Sequence, residues 1–251
     1  EVVLATKCFN AIAPDVNGRG GNRRYLVKAV EASLERLATD RLDVLFMHRF
    51  DSETPLEETL RGLEDLVRAG KVLYLGASNY SAWQVAKGLG IAERRGWSRF
   101  EVMQPMYSLV KRQAEVEILP LAVAEEVGVI SYSPLGGGLL TGKYLGKSGT
   151  GGRLTDNAMY AKRYDDELAH RTAAALTEFA KAHGTHAVSL AVAWAAAQPG
   201  VTAPIIGARS LEQLSPSLAA LDVDMNDELS SALAALSPRP APATDRLEEH
   251  R

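Results

Sequence analysis

The chain of 251 residues contains one cysteine, Cys8, which excludes an internal disulfide and fits a reducing cytoplasmic location. Beside Lys7 that thiol is either reactive or, as we expect, a small residue filling space at a strand end. No group of Cys and His has the spacing of a metal site, so a zinc centre is not expected. No apolar stretch approaches the roughly 18 residues that span a bilayer, and the first residues do not have the pattern of a signal peptide. Charge of one sign is also scarce in excess. A net charge of −3 offers no basic face for nucleic acid or an anionic membrane, so neither is expected as a partner. No G-x-G-x-x-G follows any apolar run, which excludes a Rossmann domain. Internal repeats and interdomain linkers are absent too, and the length suits one large domain.

What is present is a rhythm. Six apolar runs of strand length each stop at polar residues. VVLAT stops at Lys7, DVLFM at His48, KVLYLGA at Ser78 and Asn79, FEVM at Gln104, VGVIS at Tyr132, and APIIGA at Arg209. Amphipathic stretches of helical length separate them, which predicts βα units and a parallel sheet. We expect strands at 2–6, 43–47, 72–77, 100–103, 128–132 and 201–206. Helices are expected at 23–38, 54–69, 81–94, 114–127, 165–183, 186–197, 210–221 and 226–236. Thr54 and Glu57 have the spacing of a capping box. The Gly-rich segment 134–163 is too long for a routine connection and reads as a binding loop, while 237–251 reads as a Pro-rich, charged tail. In a closed barrel of such units the active site forms at the carboxyl ends of the strands, where the six polar stops lie.

The chemistry of each stop is open on position alone. Lys7 is a surface lysine or one with a lowered pKa that tunes a neighbour. His48 either polarises a carbonyl oxygen or is a structural histidine bonded to Asp51 or a backbone carbonyl. Ser78, Asn79 and Gln104 can bind a planar carboxamide, and Tyr132 offers a ring for stacking. The run GGLLTGKY falls short of a P-loop, because Tyr144 stands where a magnesium-binding Ser or Thr is needed. Lys143 after that Gly-rich turn, with Arg153 beyond, can still hold a pyrophosphate. Arg209, at a helix start, suits a 2′-phosphate.

Taken in order, VVLATK, DVLFMHRFD, GKVLYLGASNYS, MQPMYSLVKR, SYSPLGGGLLTGKY and IIGARSLEQL resemble the aldo-keto reductase superfamily, nearest to the branch with bacterial reductases and potassium-channel β subunits. The resemblance implies a (β/α)8 TIM barrel, α/β in class, that binds NADPH and reduces an aldehyde or ketone. Lys7 is then the lysine that tunes a tyrosine acid, and His48 the histidine that orients the carbonyl. Ser78, Asn79 and Gln104 would hold the carboxamide, and Tyr132 would stack on the nicotinamide. Ser133, Pro134, Leu135, Gly137, Lys143 and Arg153 would line the pyrophosphate. Gly207, Arg209 and Gln213 would meet the adenosine end. Two departures are visible. Pro216 and Ser217 stand where an acidic residue and an asparagine usually follow the last motif. The family's aspartate and tyrosine precede the lysine on the first two βα units. The chain is therefore expected to hold the barrel from its third strand onward over 1–236, with the tail at 237–251. The alternative is an NADP(H)-binding sensor or regulatory protein that does not turn over. A hydrolase or lyase, which would need paired carboxylates or a metal, ranks last.

Overall fold

The computed structural model describes residues 2–145, 151–246 and 248. Residues 146–150 of the expected binding loop, and 247 and 249–251 of the expected tail, lie outside the described residues. The chain divides into two compact units, Glu1–Pro105 with Leu121–Gly128, and Met106–Pro120 with Val129–Arg251.

The first unit alternates strands and helices: β1 (Ala5–Cys8), α1 (Arg23–Leu37), β2 (Leu42–Met47), α2 (Leu56–Arg68), β3 (Val72–Ser78), α3 (Ala82–Arg95) and β4 (Phe100–Gln104). The strands pair in sequence order, all parallel, with Lys7 opposite Phe46, Cys8 opposite Met47, Met47 opposite Ala77, and Ser78 opposite Gln104. That register brings the carboxyl ends of the four strands level. The core between sheet and helices is built from Leu26, Val30, Leu45, Leu60, Leu63, Leu75, Val85 and Phe100, all buried, while Phe46, equally buried, lies on the opposite face of the sheet with Lys7 and Gly76. In α2, Leu56, Leu60 and Leu63 recur at helical spacing and form the buried stripe. Gly76 is required where it stands, since a Cβ there would lie 2.4 Å from the Phe46 ring.

The second unit holds β5 from Val129 onward (the strand is Gly128–Ser131), α5 (Arg153–Asp156, numbered after α4 at Ile118–Ala124), α6 (Ala158–Arg163), α7 (Glu167–Ala182), α8 (Ala187–Ala196), β6 (Ala203–Pro204), α9 (Leu211–Leu218) and α10 (Asp227–Ala234). Strands β5 and β6 are parallel. Its core is Tyr107, Leu139, Leu140, Tyr164, Leu176, Leu190, Trp194 and Leu233. The α/β class and the βα succession expected from the sequence are those observed.

Several boundaries differ, each for a local reason. The first strand is Ala5–Cys8 instead of 2–6, and Val2 and Val3 are 84% and 75% exposed. An apolar run predicts burial, but β1 pairs with β2 alone among the described residues, and its leading residues have no sheet to enter. The expected capping box at Thr54 does not form: Pro55 is the cap residue of α2 and no side chain caps it. Thr54 instead gives its hydroxyl and its N–H to the Asp51 carboxylate. The expected helix at 114–127 is a 3-10 turn at Gln113–Glu115 followed by the short α4. The segment 134–163 contains a 3-10 helix at Gly136–Thr141 as well as α5 and α6. The last strand shrinks to two residues at Pro204, which has no N–H to donate. Pro216 lies inside α9, and the chain tightens into a 3-10 turn at Ala219–Asp222 soon after.

Candidate active site

In the first unit the register of four parallel strands sets Lys7, His48, Ser78 and Gln104 at one edge of the sheet. Lys7 is exposed, with its Nζ 5.8 Å from the centre of the Phe46 ring, and burial of part of the side chain lowers its pKa. Cys8 turns the other way, is buried, and lies 3.6 Å from the Met47 sulfur. Burial pushes its thiol up to about 12, so it stays protonated and fills space.

His48 is held through its backbone on both sides. Its N–H donates to the Cys8 carbonyl at 2.9 Å, and its own carbonyl accepts from Asn79 Nδ2 at 2.9 Å. The ring approaches Asn10, with Nδ1 at 3.1 Å from Asn10 Nδ2. Burial, then the charges of Lys7 and Arg49, lower its pKa, so the imidazole is neutral at neutral pH. Asp51, the structural partner considered for this histidine, is committed elsewhere. Its carboxylate accepts from Gly21 N–H at 2.7 Å and Glu53 N–H at 3.0 Å, and these bonds with those from Thr54 outweigh burial and lower its pKa. The residue thus anchors the loop before α1.

Asn79 adopts φ 55°, a left-handed conformation that asparagine tolerates, and so turns the chain sharply after β3. Its second amide hydrogen goes to Ser78 Oγ at 3.0 Å, and Ser78 Oγ in turn donates to the Gln104 carbonyl at 2.9 Å. These side-chain bonds lash together the ends of β2, β3 and β4. The Gln104 side chain is only 5% exposed, yet its amide makes no hydrogen bond among the described residues. An amide with no protein partner at the mouth of a sheet suits a planar amide ligand.

The second unit presents a different chemistry. Tyr132 follows β5, bridges to Met106, and its carbonyl accepts from Tyr107 N–H at 3.2 Å. Partial burial raises its pKa. Ser133 is left-handed at φ 61° and its carbonyl takes the Gly136 N–H. Pro134 follows, and Leu135 is the residue before the 3-10 helix, within which Gly137 (φ 67°) and Gly138 (φ 98°) are left-handed. A Cβ on Gly137 would sit 3.0 Å from Tyr160 and 3.1 Å from Leu154 and Tyr164, so with φ 67° a side chain there would be crowded and strained. Lys143 Nζ lies 4.8 Å from the Tyr144 ring centre, and a Cβ on Gly152 would come within 2.5 Å of that Nζ. Arg153 covers the Tyr160 ring at 5.6 Å. Arg209 N–H donates to Gln213 Oε1 at 3.1 Å, and Ser210 caps α9. Gly207 has open space where a Cβ would stand. The Pro216 carbonyl accepts from Ser189 Oγ of α8 at 2.7 Å, and Ser217 is buried.

Two neighbours escaped sequence reasoning. Asp156 has its pKa lowered first by the Thr155 hydroxyl and the Gly152 N–H, then by the charges of Arg209 and Lys143. Asn10 is the other. Asn10 lies in the loop after β1 and Asp156 in the single turn of α5, too short for a periodic signal to mark it.

The aldo/keto reductase family model matches residues 1–237. The chain belongs to the aldo/keto reductase family. Its relatives include an uncharacterized oxidoreductase, YrpG, of Bacillus subtilis, 38% identical over 248 residues that cover 97% of this chain and 74% of the relative. A probable voltage-gated potassium channel subunit beta of Arabidopsis thaliana is 34% identical over 89% of this chain and 69% of its own length. The versiconal hemiacetal acetate reductase of Aspergillus parasiticus is 32% identical over 91% and 71%. The βα succession accords with the (β/α)8 fold of the family, and oxidoreductase relatives make this an enzyme family of that class.

Proposed function

We propose that this aldo/keto reductase reduces an aldehyde or ketone carbonyl to an alcohol with NADPH, and that residues 1–236 form its reductase domain and 237–251 a tail. The carrying observation is the strand-end constellation of the first unit, in which a neutral His48 is pinned near a lysine of lowered pKa. A reduced nicotinamide, when bound, supplies a hydride to the carbonyl carbon and is left oxidised, while the carbonyl oxygen takes up one proton.

The residues suit such a group. The Gln104 amide, with Ser78 and Asn79 beside it, offers a place for the carboxamide. Left-handed glycines and the close approach of Lys143 to Gly152 leave room and positive charge for a pyrophosphate, with Ser133, Pro134, Leu135, Gly137 and Arg153 around them. Tyr132 is assigned to stack on the nicotinamide, and Gly207, Arg209 and Gln213 to meet the adenosine end. His48 hydrogen-bonds the substrate carbonyl and so orients it, while the Lys7 charge lowers the pKa of the proton donor. That donor is not Tyr25 or Tyr107. The Tyr25 hydroxyl donates to the Asn10 carbonyl and accepts from Phe9 N–H, and the Tyr107 hydroxyl is bonded to Glu115.

The channel-subunit relative supports a second reading, an NADP(H)-binding sensor without turnover. One experiment separates them. NADPH is titrated by fluorescence, and loss of its absorbance is then followed with 4-nitrobenzaldehyde, using the natural protein in full so that any residues encoded before Glu1 take part. Binding with turnover is expected. Binding alone favours the sensor, and the absence of both binding and turnover would overturn both readings. Arg209→Ala is expected to weaken NADPH roughly tenfold or more while changing NADH little, because the guanidinium pairs with the 2′-phosphate. Equal losses for both cofactors would remove Arg209 from that role.

A further inference from the structure

We propose that Asn10 is a positioning residue of this site: its side-chain amide donates to Nδ1 of His48, holds the imidazole in its Nε2–H form, and so equips the site with a hydrogen-bond donor for a carbonyl oxygen. The identity of that acceptor rests on the reductase reading above; the tautomer does not.

The chemistry follows from what each group can do. An amide nitrogen only donates, and a neutral imidazole has one donor and one acceptor nitrogen. Asn10 Nδ2 lies 3.1 Å from Nδ1, so Nδ1 is the acceptor and the ring proton resides on Nε2. Nε2 makes no hydrogen bond among the described residues. Burial and the neighbouring charges of Lys7 and Arg49 keep the ring neutral, the only state in which this bond forms.

Asn10 is itself held firmly, although its side chain is exposed. Tyr25, 1% exposed, donates from its hydroxyl to the Asn10 carbonyl at 2.8 Å and accepts the Phe9 N–H at 2.9 Å. Gly20 N–H bonds the Phe9 carbonyl at 2.9 Å, and Phe9 takes φ 146°, outside the range most side chains prefer. Asp51 ties the same loop to the strand end beyond His48 through Gly21. A loop fastened at three points presents one amide to one imidazole. Fixing a histidine tautomer through its second nitrogen is a known way to set the role of the first.

The test reads the tautomer directly. Protein labelled with 15N-histidine is examined by long-range 1H–15N correlation at neutral pH, with the His48 signals assigned by loss in His48→Ala. The wild type is expected to show the protonated nitrogen at Nε2. Asn10→Asp puts an acceptor-only group against Nδ1 and is expected to move the proton there and raise the His48 pKa. Asn10→Ala is expected to give a mixture. In the natural full-length protein Asn10→Asp is expected to lower kcat for an aldehyde roughly 100-fold or more, with the Kd for NADPH unchanged. A wild-type proton on Nδ1, or an unchanged tautomer in Asn10→Asp beside normal turnover, would overturn the Asn10 assignment alone. A normal tautomer response in a wild-type protein that reduces no carbonyl would instead sink the reductase reading and, with it, the carbonyl as acceptor.

Discussion

His48 resists protonation because burial and two neighbouring cations, Lys7 and Arg49, all disfavour an imidazolium. An NMR titration is therefore expected to place its pKa below the ordinary value of 6.5. The sign for stability follows. Between the folded and unfolded values the unfolded chain binds more protons, so stability rises with pH through that window. The contribution of the neutral ring is complete above the ordinary value and is lost as pH falls through the folded one. Cys8 makes an opposite prediction about reactivity. Its thiol, at about 12, is expected to remain unlabelled by a thiol-specific disulfide reagent in the native protein and to react once denatured. Fast native labelling would contradict its buried position. Lys7 and His48 were legible in the sequence because each ends an apolar run, a local pattern. Asn10 and Asp156 were not, because nothing in their neighbours along the chain announces the groups they meet.

Strands and helices came through from sequence with their order and type, and failed at their ends. Periodicity locates a buried stripe such as Leu56, Leu60 and Leu63, but the terminus of an element depends on who takes its unpaired backbone groups. At α2 the Thr54 donors serve Asp51, so the expected cap vanishes, whereas at α3 Gln84 Oε1 does accept the Ser81 N–H at 2.9 Å. Gly76 shows the same dependence inside a strand. In sequence it interrupts an apolar run, and in the fold it makes room for the Phe46 ring on the neighbouring strand. Gly76→Ala is expected to cost about 1–3 kcal/mol in urea-induced unfolding, because the Cβ at 2.4 Å forces the ring or the strand aside. A loss below a few tenths would mean that Phe46 swings away freely.

Each compact unit closes over long sequence distances. In the second, Arg112 pairs with Glu115, lies over the Trp194 ring at 5.4 Å, and donates to the Ala234 carbonyl at 2.8 Å and the Ser237 hydroxyl at 3.0 Å. Tyr107 stacks on Trp194 at 5.5 Å and gives its hydroxyl to Glu115 at 2.7 Å. With Arg112 10% exposed, Arg112→Ala is expected to cost about 3 kcal/mol, since it strands Glu115 and the carbonyls at the end of α10. Denaturation followed by Trp fluorescence measures it, and an unchanged midpoint would reduce the network to decoration. By itself the sequence determined the α/β class, the succession of elements and the train of polar residues at strand ends, which follow from composition and periods of a few residues, and it carried the ordered motifs by which the chain resembles its family. Only the tertiary structure decided which partner each polar group takes. The contacts of Asn10 with His48, Asp51 with Gly21 and Ser78 with Gln104 span 38, 30 and 26 residues, and pairings at that distance are set by packing, not by neighbours in the chain.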